Sequence, residues 1–97
     1  MSCYKSASAV EENGIAGPLL VVKVEAFSGI VAPTLKKGTP PFHPANVFPV
    51  TIEHSVPAGA TITHLEATQN LTKVGEFEYV VIHCGDDKGT RIPVTKS

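Results

Sequence analysis

A chain of 97 residues with 42% hydrophobic and 18% charged side chains and a mean hydropathy of +0.11 has material for one core and no second domain. Eight basic residues against nine acidic ones leave a net charge of −1, which gives no footprint for a polyanion and argues against a nucleic-acid partner. No stretch reaches the ~20 apolar residues of a spanning helix and the opening MSCYKSASAVEENG lacks a secretory signal's apolar run, so the expectation is a cytoplasmic protein without membrane contact.

Residues 1–17 read as a polar leader, in which Ser8, Ala9, Val10 and Glu11 have the capping-box spacing that starts a helix of one or two turns. Residues 18–97 read as a single β domain. From Leu19 the text is rich in Val, Ile, Thr and Phe, with period-2 alternation broken by Pro and Gly. Strands are expected over 19–27, 29–35, 48–55, 61–68, 76–84 and 90–95. Pro33, Pro40, Pro41, Pro44 and Pro49 turn the span between the second and third strands into a long stiff loop carrying Phe42 and His43. A loop of that length in a small domain usually serves function or an interface.

Turn chemistry suggests three successive hairpins. Closing Val56 on Thr61 around Pro57 and Gly59 places Ile52 opposite Leu65, and the next turn places Leu65 opposite Val80 and Thr63 opposite Ile82. The turn Gly85–Gly89 then pairs Ile82 with Ile92 and Val80 with Val94. Phe48, Val50, Ile52, Leu65 and Ala67 share the core face in this register. Pro93 has no N–H to donate, which marks 90–95 as an edge strand.

Among residues that carry chemistry, the four histidines stand out, yet no CxxC, HExxH or EF-hand spacing accompanies them and no metal or other cofactor is expected. Cys3 and Cys84 read as two reduced thiols rather than a disulfide framework, with Cys84 a buried and inert small hydrophobe. Asn70-Leu71-Thr72 fits a glycosylation triplet but reads as a turn without a secretory context. What converges is the non-core face, where Glu53, Ile62, His64, Glu66, Phe77, Tyr79, Val81, His83 and Arg91 are expected to cluster. Such a face is more apolar than a solvated one, so something should cover it.

The expected fold is therefore all-β, a small antiparallel sandwich or flattened barrel of six to seven strands with at most one short N-terminal helix. The expected function is a non-catalytic binding or assembly module, such as a particle subunit, that self-associates through the mixed face or the Pro-rich loop. The rival is a small-molecule-binding β-barrel whose inner face carries Glu53, His64, Glu66, Tyr79 and His83, a set that in an enzyme would serve acid–base proton transfer. A homo-oligomer leads the list of partners, followed by another protein or a small ligand.

Overall fold

The computed structural model describes residues 3–56, 61–85 and 88–96. The described residues form seven strands: β1 (Tyr4–Gly14), β2 (Gly17–Ser28), β3 (Thr34–Lys37), β4 (Val47–Glu53), β5 (Thr61–Asn70), β6 (Tyr79–Cys84) and β7 (Thr90–Lys96). They form one nearly closed, barrel-like sheet in the order β3-β4-β6-β7-β1-β2-β5, with no helix among the described residues. The all-β class and the strand number follow the sequence reading.

The segment expected as a leader or short helix is strand β1 instead. Its capping-box spacing is overridden by a hairpin: Gly14 pairs with Gly17 around the two-residue turn Ile15-Ala16, and Gly17 takes a φ of +125° that a side chain would resist. Ala7 and Ala9 of β1 then pair with Val24 and Val22 of β2 and point inward. The expected strand over 29–35 is also corrected, since residues 29–33 bend away and β3 begins at Thr34.

Hairpin order does not govern the rest. β4 lies between β3 and β6, pairing antiparallel with β3 and parallel with β6, while β5 pairs antiparallel with β2. Ile52 therefore faces Leu35 and Cys84, not Leu65; Leu65 faces Val24, not Val80; and Thr63 faces Ala26, not Ile82. The turn residues 57–60 that suggested a β4–β5 hairpin lie outside the described residues. β6 and β7 do form an antiparallel pair, two residues out of the expected register, with Val80 facing Ile92 and Ile82 facing Thr90. A slip of two keeps every side chain on its face.

Pro93 does not mark an edge, because β7 has ladders to both β6 and β1. The Val94 N–H donates to Glu78 O on the β6 side, so the nitrogen of Pro93 faces β1, whose ladder with β7 begins only at Val94. The residue that cannot donate sits just outside the bonds it would break.

Phe48, Leu20, Ile52, Ile82, Val22, Val24, Val50 and Val80 fill the interior. The Pro-rich loop closes one end by seating Phe42 edge-on against Phe48 and Phe77, with ring centroids 5.5 and 5.6 Å away. Near the same end, the Lys37 ammonium reaches from β3 to Thr68 O at 2.9 Å on β5, bridging the two outer edges of the sheet. At the other end Cys3 and Cys84 form a disulfide with a Cα–Cα distance of 5.8 Å, which overturns the expectation of two reduced thiols. The parallel β1–β7 pairing brings the start of the chain into the sheet, where the leader reading had left it apart.

Candidate functional site

The outer face of β1, β2 and β5 carries an ordered pattern. Because side chains alternate across a strand, the register fixes three-residue rows on this face: Ser8–Lys23–Glu66, Ser6–Glu25–His64 and Val10–Val21–Thr68. Phe27 and Ile62 pair beyond the His64 row. The face thus has a charged middle, an apolar shelf of Phe27 and Ile62 toward the disulfide end, and a second shelf of Val10 and Val21 toward the hairpin turn. Val21 is only 7% exposed, so the apolar area this second shelf offers comes from half-buried Val10.

The charged middle is internally paired. Lys23 Nζ lies 3.9 Å from Glu66 Oε1, and His64 Nδ1 lies 3.9 Å from Glu25 Oε2. Ser6 Oγ donates a hydrogen bond to Glu25 Oε1. That bond, helped by the nearby His64 and Lys5, holds the Glu25 carboxyl below its ordinary pKa. Exposed pairs of this kind contribute little to stability, so their charges remain available to a partner. The long side chains of Lys23, Glu25, His64 and Glu66 wall a depression of about 620 Å³ whose remaining lining includes Ser6 and Ser8.

The structure divides the residues expected to cluster. Ile62, His64 and Glu66 lie on this face. Tyr79, Val81, His83 and Arg91 lie on the outside of β6 and β7 instead, where Arg91 faces Val81 and its guanidinium stacks 5.3 Å from the Tyr79 ring centroid. His83 faces Thr51 and Tyr79 faces Pro93, away from the β5 residues with which they were expected to cluster. Gly89 packs over Val81 and His83, where an added Cβ would come within 2.5 Å of Val81 Cγ1. Phe77 is not on any outer face: it is 3% exposed and belongs to the core with Phe42 and Phe48. Exposed His43 precedes Pro44 in the loop through a cis peptide bond.

Glu53 ends β4 and is exposed beside a second depression of about 440 Å³, lined also by His54, Ser55 and the disulfide. His54 there adopts a left-handed φ of 66°. Glu53, His64 and Glu66 are exposed on the outside, so the inner-face grouping of carboxylates and imidazoles does not form. Among the described residues no three His, Cys, Asp or Glu side chains are grouped so as to hold a metal ion.

Lys23, Glu25, Ser6 and Ser8 are the residues the sequence reading missed. Their signal was the polar alternation Lys23-Val24-Glu25 within an otherwise apolar strand, which needs the β1 and β5 registers before it becomes a surface. Compared with known proteins, the chain matches no family model, no curated protein and no solved structure.

Proposed function

We propose that this chain is a non-catalytic binding and assembly module that associates with a second copy of itself through the outer face of β1, β2 and β5. The observation that carries the reading is the banding of that face, two apolar shelves around a middle of both charge signs. Apolar area supplies the driving force and mixed charge sets the orientation. The non-catalytic part is supported by cysteines tied in a disulfide, which leaves neither as a thiolate nucleophile.

No helix among the described residues is long and apolar enough to cross a membrane. The disulfide supports a working place that is oxidising, such as an extracytoplasmic space or a particle surface, over the reducing cytoplasm expected at first.

Sedimentation equilibrium from about 10 μM to about 1 mM tests the reading, a range chosen because small interfaces bind weakly. Wild type should self-associate, Ile62→Lys should weaken association, and Val74→Lys, at an exposed apolar residue in the 71–78 loop, should not. Equal association of wild type and both variants sinks the reading. The depression of about 620 Å³ favours a second reading, in which a small zwitterion sits between Lys23 and Glu25. That case predicts a monomer whose Lys23 and Glu25 amide signals shift when free amino acids are added.

A further inference from the structure

We infer that the second copy docks face to face about a two-fold axis that runs across the strands between the Lys23 row and the Glu25 row. The inference rests on the self-association proposed above and specifies its geometry.

The argument is one of self-complementarity. A two-fold interface applies the same patch to itself, so each residue must tolerate the residue that the axis places opposite. Two axes lie in the plane of such a contact. An axis along β2 sets Lys23 against its own copy and Glu25 against its own copy, stacking like charges at the centre. The axis across the strands does the reverse. It reflects the rows about their midpoint, so Lys23 meets the partner's Glu25, His64 meets the partner's Glu66, and Ser6 meets the partner's Ser8. The same operation carries Val21 onto the partner's Phe27 and Thr68 onto the partner's Ile62. Each contact occurs twice by symmetry, and no like-charged pair is created in the four central rows.

The contact stacks β2 of one copy antiparallel on β2 of the other, an aligned sheet packing. Three strands ~4.8 Å apart over ten residues present about 500 Å² per copy, an area typical of weak, reversible association.

Two variants and one wild-type measurement test the geometry. Lys23→Glu alone sets two acidic pairs across the axis, and Glu25→Lys alone sets two basic pairs. Each variant by itself should associate about tenfold more weakly than wild type or worse, whereas an equimolar mixture restores both pairs and should associate as wild type does. For wild type, isotope-filtered NOEs between a labelled and an unlabelled copy should link Val21 methyls to the Phe27 ring. Six residues of strand separate them within one chain by about 20 Å, so such a signal is intermolecular. Wild-type association without those NOEs and without recovery in the mixture overturns this axis and leaves the proposed function standing. A wild type that stays monomeric to about 1 mM, a range set by so small an interface, overturns both. If either variant fails to fold, the NOE measurement decides alone.

Discussion

Glu11 of β1 is 6% exposed, and its Oε1 accepts the backbone N–H of Gly75 at 2.8 Å. A carboxylate buried on a strand thereby ties down the 71–78 loop, whose Gly75 adopts a φ of +76° to present that N–H.

Glu11→Ala should lower the unfolding free energy by about 1–3 kcal/mol, because it removes a charge-assisted hydrogen bond and leaves the Gly75 N–H without that acceptor. Glu11→Gln, which keeps an acceptor oxygen, should lose less. Urea midpoints at unchanged m-value check both, and an alanine variant as stable as wild type contradicts the role given to Glu11.

The disulfide gives the second prediction. Cys3 and Cys84 are 81 residues apart, so the bridge constrains most of the unfolded chain, and replacing both by Ser should lower stability by about 2–4 kcal/mol. Protein prepared without reductant and unfolded in denaturant should bind no thiol reagent before reduction and two equivalents after it. Immediate uptake of two equivalents without reduction contradicts the bridge.

Acid sensitivity is the third. Hydrogen bonds from the Thr72 hydroxyl, the first cause, and from the Thr72 backbone hold the Glu76 carboxyl below its ordinary pKa. A carboxyl depressed in the folded state stabilises above its unfolded pKa, and that contribution fades as pH falls through the folded value. Thr72→Ala should move the Glu76 titration upward, read by carbon NMR of its carboxyl, and flatten the loss of stability on acidification.

Gly89 provides the fourth. Its φ of +80° and the 2.5 Å and 2.8 Å approaches of an added Cβ to Val81 Cγ1 and His83 Nδ1 leave no room for a side chain. Gly89→Ala should destabilise by about 1–3 kcal/mol through overpacking and backbone strain. Thermal melts check it, and a neutral result means the Gly89 segment lies off the β6 face.

Period-2 alternation assigned most inward positions, with Phe48, Val50, Ile52, Val80 and Ile82 all buried as read, but it put buried Phe77 on the outer face. Pairing was harder, because alternation states which face a side chain takes and not which strand lies alongside. Ile52 suits Leu65 or Cys84 equally well by that criterion. Two parallel pairings, β4–β6 and β1–β7, skip over sequence neighbours, and no turn signal announces them. The candidate face was half legible for the same reason: Ile62, His64 and Glu66 were visible as an exposed stripe, but their true neighbours Lys23 and Glu25 lie one long excursion earlier in the chain. The Gly14-Ile15-Ala16-Gly17 turn was the overlooked local signal, since two residues between glycines bring flanking strands together.

The place of β7 in the sheet bears on how the protein is made. Thr90–Lys96 stands between β6 and β1, so it is the ladder that joins the half built from β3, β4 and β6 to the half built from β1, β2 and β5. A folding chain can form the β1–β2 hairpin and add β5, but the halves have no strand between them until Thr90–Lys96 has docked. Cys3 lies beside β1 and Cys84 ends β6, one in each half, so the bridge is aligned only once β7 has brought the two halves together.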